Sequence, residues 1–210
     1  MTRAPGELRA DAARNRGLLL RAAEEVFASR GLDATVADIA MRAGVGKGTF
    51  FRHFASKDEL ISALVRSHVE ELDAIGQALV ACTDPGMALI EFLAAAAERQ
   101  QERDLSFLLP ASEADPEIAA LRERLFATIG ALVERAQRAG VVRPDVTGLD
   151  VVLLMCAPNH VVGYLQDAPR GLWRRYLAII IDGLRPEGAH PLDTPPPSRF
   201  SDDPRDMSGS

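Results

Sequence analysis

The chain has 210 residues, 47% of them hydrophobic, and a formal net charge of −6. This length suits one or two compact domains with a sizeable core, and the negative balance excludes a uniformly basic coat for nucleic acid. The longest apolar stretch, Val151–Pro158, is too short to span a bilayer. No apolar run follows the early arginines, so the chain is read as cytoplasmic, without a membrane partner. Charge is unevenly spread. Residues 1–57 carry ten Arg and Lys against six Asp and Glu, which leaves +4 there and −10 in the remainder. A basic head on an acidic body confines any polyanion to one end. The only two lysines, Lys47 and Lys57, both lie in that head.

Nearly everything from Asp11 to Leu184 reads as helix, and no segment alternates over the length of a strand. The expectation is an all-α fold of nine helices. Residues 1–9 are expected to be a loose arm. The first helix covers about Asp11–Arg30, with Leu19, Ala23, Val26 and Phe27 on its core side. Thr35 then precedes a short helix, and Asp38 three residues later completes a capping box. Gly44 ends that helix as a left-handed residue. Gly46-Lys47-Gly48-Thr49 opens the next, with Phe50 and Phe54 one turn apart on its inner face. Ser56 and Glu59 form another capping box at the start of a long helix running towards Cys82. Asp84-Pro85 restarts the chain with a cap and a first-turn proline, for a helix of about Pro85–Arg103. A short helix or turn follows at Asp104–Leu109. Asp115-Pro116 repeats the signal for a helix to about Ala139, with Gly140 just beyond. Thr147 and Asp150 cap a helix to about Gln166, in which Pro158 should cause a kink or break. Pro169 opens the last helix, which reaches about Leu184. Residues 185–210 hold six of the thirteen prolines and are expected to be disordered.

Two short helices joined by a tight glycine turn form a helix-turn-helix, whose second helix enters the major groove of DNA. The free amides at the starts of the second and fourth helices suit phosphates, with Thr35 and Ser56 as caps and Lys57 adding a charge. Gly48 lets the backbone approach a base edge, and Lys47 and Thr49 flank it with donors.

The segment from about Arg14 to Leu60 resembles the DNA-binding domain of the tetracycline-repressor (TetR) family of bacterial regulators. The match is carried by Ala22-Ala23 and Phe27 before Gly31, then Thr35, Ile39-Ala40, Ala43-Gly44-Val45, Lys47-Gly48-Thr49, Phe51, His53-Phe54, Lys57 and Leu60. It covers roughly the first quarter of the chain. Beyond it the likeness lies in helix count and in AQRAGVVRPD at Ala136–Asp145. The resemblance implies DNA contact by Lys47, Gly48, Thr49, Phe51, His53 and Lys57. The family usually has tyrosine where this chain has Phe51, so a hydroxyl that reaches phosphate is missing. Phe51 either touches a thymine methyl in the groove or packs in the small core, and Arg52 could supply the phosphate contact. His53 is either a groove residue or a structural histidine.

The resemblance also implies domains at 10–56 for DNA and 57–184 for dimerisation and effector binding. A largely apolar effector is expected between the fourth and penultimate helices, with His68, Phe92, Phe126, Asn159 and His160 as candidate contacts. A homodimer is expected through the last two helices, with Trp173, Tyr176 and Ile180 at the seam. The partners are therefore double-stranded operator DNA, a second copy and a small effector. Cys82 and Cys156 have no metal-ligand spacing and read as small buried hydrophobes; no metal or cofactor is expected. An enzyme is disfavoured, since there is no phosphate loop on a strand and no nucleophile elbow. A DNA-binding or architectural protein controlled by a protein partner, with no small ligand, is the alternative.

Overall fold

The computed structural model describes the backbone of residues 5–102, 108, 115–162, 169 and 171–196. Side chains are described for 11–100, 108, 115–155, 169 and 171–196. These residues form eight α-helices and one 3-10 turn, with no strand among them. The helices are α1 (Pro5–Arg30), α2 (Val36–Arg42), α3 (Lys47–His53), α4 (Lys57–Val80), α5 (Pro85–Glu102), α6 (Pro116–Arg138), α7 (Gly148–Val162) and α8 (Leu172–Gly183), with the 3-10 turn at Gly31–Asp33. The all-α class is as expected and the count is eight rather than nine. The extra expected element, a short helix or turn at Asp104–Leu109, has only Leu108 among the described residues.

The local signals that spacing gave are realised as hydrogen bonds. Thr35 Oγ1 accepts from the Asp38 amide at 3.2 Å, and Asp38 Oδ2 accepts from the Thr35 amide at 3.0 Å. Thr147 and Asp150 repeat this at the start of α7. Asp84 and Asp115 accept from the first amides of α5 and α6. Gly44, at φ 69°, closes α2 with the paired bonds Gly44 N to Met41 O and Val45 N to Ala40 O, which satisfies two carbonyls that the helix end strands. At α4 the box is displaced by one residue. Ser56 Oγ accepts from the Glu59 amide as expected, but the Glu59 carboxylate reaches back to Ala55 N at 2.5 Å.

Four segments differ from the expected layout. Helix α1 begins at Pro5 and so takes in residues 5–9. Proline needs no amide partner in a first turn, and Glu7, Leu8, Arg9 and Ala10 are good helix formers. Pro158 does not break α7, which continues to Val162; the loss of one amide donor is not enough to end it. Helix α8 starts at Leu172, three residues after Pro169, because Gly171 at φ 83° takes the N-cap position. Finally, residues 185–196 lie back against the body. Arg143 donates its amide to Leu184 O at 2.9 Å and its guanidinium to His190 O, while also bonding Asp145. Those partners lie far away in sequence, so composition alone missed them. Residues 197–210 lie outside the described residues.

The described residues divide into two compact units. The first contains α1 to α3, the start of α4 up to His68, Leu108 and residues 115–119. Its core is built on the α1 stripe Leu19, Ala22, Ala23, Val26 and Phe27, whose spacing keeps them on one helical face. Ile39 and Ala40 of α2, Phe50 and Phe54 around α3, and Leu60, Ile61 and Leu64 of α4 are buried in the same unit. Arg66 ties residues 115–119 to α4 through Asp115 at 3.6 Å and through Glu117. The second unit contains α4 from Val69, α5, α6 from Ala120, α7, α8 and the segment 184–196. Its buried residues include Leu89, Phe92 and Leu93 of α5, Ile129, Leu132 and Val133 of α6, and Trp173 and Leu177 of α8. Arg135 closes the end of α4 by donating to the carbonyls of Val80 and Cys82, the latter at 2.6 Å. No helix of the described residues is long and apolar enough to cross a membrane.

Candidate nucleic-acid interface

Helix α3 is anchored by its back and free at its front. Phe50 is fully buried and Phe54 is 1% exposed, their ring centroids 5.9 Å apart. The Arg16 guanidinium lies 5.2 Å from the Phe54 centroid, a cation–π contact between α1 and the end of α3. These contacts fix the rotation of α3 about its axis. The opposite side then carries Lys47, Gly48, Phe51 and Arg52, all exposed, with Thr49 and His53 half-buried beside them. The predicted groove residues are thus brought together on one short helix. The N-cap, Gly46, offers no side-chain bond, so no capping group stands in front of the first turn.

Phe51 is 55% exposed and meets Phe50 only edge-on, at 5.3 Å and 79°. The reading that places it in the core therefore fails.

Thr35 is exposed, but its hydroxyl is occupied. It donates to Asp38 Oδ2 at 2.6 Å while accepting the Asp38 amide. These bonds, with Arg30 2.8 Å away from Oδ1, hold the Asp38 carboxyl below its ordinary range. Lys57 departs from the expected picture. Its ammonium donates to Leu32 O at 2.7 Å and to Ala34 O at 3.4 Å.

The effector candidates fall in both units and partly outside the described residues. His68 closes the first unit and is half-buried, whereas Phe92 and Phe126 belong to the second. Phe92 is 3% exposed and already serves as core, its ring beside Gly76. The Asn159 and His160 side chains lie outside the described residues, as does that of Cys156; Cys82 is half-buried.

Sequence reasoning missed a buried polar cluster in the second unit. Asp73, 4% exposed, accepts from Thr128 Oγ1 at 2.8 Å and from Arg124 Nε at 2.6 Å. Gln77 donates to the Thr128 hydroxyl at 2.7 Å. Burial works to raise the Asp73 pKa, but the bonds from Thr128 and Arg124 win and hold it below the ordinary value. The signal was present: Asp73 follows buried Val69 by one turn on α4, a carboxylate at a core position.

Among the described residues of the second unit, grooves open at two places. One, about 370 Å³, has Met87, Leu89, Ile90 and Leu93 of α5 and Val141, Val142, Ile181 and Leu184 as apolar walls, with Asp84, Arg185 and Glu187 also lining it. The other, about 460 Å³, lies along Leu153, Leu154, Ile180 and Leu192. The seam candidates are corrected in part. Trp173 is 7% exposed, with Arg174 stacked 4.6 Å from its ring, so it is core. Tyr176 and Ile180 are half-buried. Among the described residues, the exposed large apolar side chains of α7 and α8 are Leu153, Leu154 and Ile179.

Comparison with known proteins agrees with this geometry. The family model described as bacterial regulatory proteins, tetR family, matches residues 19–64, and that of the transcriptional regulator SbtR-like C-terminal domain matches 84–186. The HTH-type transcriptional repressor KstR2 of Mycobacterium tuberculosis is 30% identical over 189 residues, 82% of this chain and 94% of that one. Its solved structure, described as a ketosteroid transcriptional regulator, superposes with a TM-score of 0.63 at 26% identity, covering 81% of this chain and 94% of that chain. A TetR regulator from Mycobacterium vanbaalenii gives a TM-score of 0.60 at 36% identity, over 85% of this chain and 99% of that one. The activator FasR of Mycolicibacterium smegmatis is 49% identical over 71 residues, 33% of this chain and only 32% of the activator's length.

Proposed function

The chain belongs to the TetR family of DNA-binding transcriptional regulators, and from that premise we propose that it is a repressor that binds a palindromic operator as a dimer and leaves it when a small, largely apolar effector binds. The observation that carries the DNA half is the exposed side of α3, with Lys47, Gly48, Phe51 and Arg52 set against the buried pair Phe50 and Phe54. Lys47 donates to guanine edges, Gly48 allows close approach, Thr49 and His53 extend the contact, Phe51 meets a thymine methyl, and Arg52 takes a phosphate. The free backbone amides at the starts of α2 and α4 flank them against the phosphates. Selection of bound duplex from a random pool tests this. A palindromic site should emerge, and Lys47→Ala should weaken it by about 1–3 kcal/mol and relax one base position. A pool with no salt-sensitive, sequence-selective product would overturn the reading.

The dimer half rests on Leu153, Leu154 and Ile179, apolar residues 45%, 37% and 55% exposed on α7 and α8, with Tyr176 and Ile180 beside them. A single head reads few base pairs, and two-fold symmetry doubles the site. Ile179→Asp should weaken self-association by about a hundredfold or more, because a two-fold seam would bury two unpaired carboxylates. Sedimentation checks this; an unchanged dimer places the seam elsewhere.

For the effector, the second unit offers Phe126, beside the buried Phe92, with Asn159 and His160 as the proposed polar pair. The relative described as a ketosteroid regulator makes a rigid apolar molecule of that kind the first to try. Operator release in the same binding assay is the test.

A further inference from the structure

We propose that Lys57 is a positioning residue that sets the geometry of the DNA-reading head, and not primarily an anchor for phosphate. This rests on the DNA-binding reading above. Lys57 is the first residue of α4, yet its ammonium is committed backwards, to Leu32 O at 2.7 Å and Ala34 O at 3.4 Å. A 3-10 turn strands carbonyls at its end, and a cation is their natural partner. Ala34 itself is 1% exposed and directly precedes Thr35, the N-cap of α2. The same turn is approached from α1 by Arg30, which pairs with Asp38 at 2.8 Å, and Asp38 in turn completes the Thr35 box.

The consequence is topological. The bond from Lys57 to Leu32 spans 25 residues, and the chain it closes off contains all of α2 and α3. It fixes the start of α4 against the start of α2, the two elements placed against the phosphates, and so sets how α3 is presented between them. Two of the three ammonium hydrogens are used in doing so. A phosphate anchor and a latch differ in what their loss does. Loss of an anchor removes one charge contact from every duplex and lowers the salt dependence. Loss of a latch blurs the register of α3, which harms base readout and leaves backbone attraction in place.

The experiment uses the full chain with Lys57→Met, which keeps the stem and removes the donors, on the selected operator and on a random-sequence duplex across a salt series. The latch predicts an operator affinity lower by about tenfold, a random-duplex affinity changed by less than about twofold, and an unchanged slope of log affinity against log salt. Amide hydrogen exchange at Thr35 to Asp38 should speed up, and Lys57→Arg should restore both discrimination and protection. The proposal is overturned if both duplexes lose affinity alike, the slope falls by about 0.9 per head, and exchange at α2 stays as it was. If Lys57→Met destabilises the head too far to read, Lys57→Gln, a neutral donor, is held to the same criteria. Wild-type protein that prefers no sequence would instead sink the DNA-binding reading, and the latch with it.

Discussion

Phe50→Ala should destabilise the first unit by about 3–5 kcal/mol, while Phe51→Ala, one residue on, should cost no more than about 1 kcal/mol and weaken operator binding instead. The two rings are neighbours in sequence and opposites in environment. Phe50 is wholly buried and stands 5.9 Å from Phe54, in a head whose core rests on few large side chains. Truncation removes its transfer energy and leaves a cavity between α1 and α3 that short helices cannot collapse to fill. A margin of that size is comparable to the whole stability of a small domain, so the variant should lose DNA binding through unfolding. Phe51 is 55% exposed and gives up only its edge contact with Phe50. Urea unfolding followed alongside operator binding separates the two. Equal stability losses would mean that α3 is rotated from the orientation described, and the groove residues with it.

The contrast between Phe50 and Phe51 was partly legible before any coordinates. Phe50 and Phe54 lie one turn apart, and that spacing alone gives α3 an inner face. The caps were legible for the same reason. Thr35 with Asp38, Thr147 with Asp150, Asp84-Pro85 and Asp115-Pro116 are interactions between residues three or fewer apart, and the sequence displays such spacings directly. What was not legible is held by long-range partners. Lys57 has free donors in any sequence reading; only the fold brings the carbonyls of Leu32 and Ala34 to it. Arg143 and His190 are 47 residues apart, and proline-rich composition says nothing of an arginine waiting elsewhere. Trp173 has the amphipathic character of an interface residue, and only its neighbours decide that it is core. The glycines of the helices carry the same ambiguity, because the sequence does not show what packs against a missing side chain.

Gly76 is the sharpest such case, and Gly76→Ala should destabilise the second unit by about 1–3 kcal/mol although helix propensity alone favours alanine by about 1 kcal/mol. A Cβ at this point of α4 would stand 2.6 Å from the Thr128 Cγ2 methyl and 3.3 Å from the Phe92 ring. A methyl can usually turn away. This one cannot, because the Thr128 hydroxyl is held from several sides: its one hydrogen goes to Asp73 Oδ1 at 2.8 Å, with the Arg124 carbonyl at 3.0 Å as the competing acceptor, and its oxygen accepts from Gln77 at 2.7 Å. Rotation of the methyl about χ1 would pull the hydroxyl from Asp73 and leave a buried carboxylate short of a partner, at a cost of about 1–3 kcal/mol. Helices α4 and α6 must therefore separate, or the polar cluster must break. Thr128→Ser deletes the offending methyl and keeps the hydroxyl, so it should be mildly destabilising alone and should recover most of the loss when combined with Gly76→Ala. A double-mutant cycle in thermal or urea unfolding reads the coupling, expected at about 1 kcal/mol or more. Strict additivity of the two changes would mean that α4 and α6 are not locked at this point, and that the Asp73 cluster does not set how closely they approach.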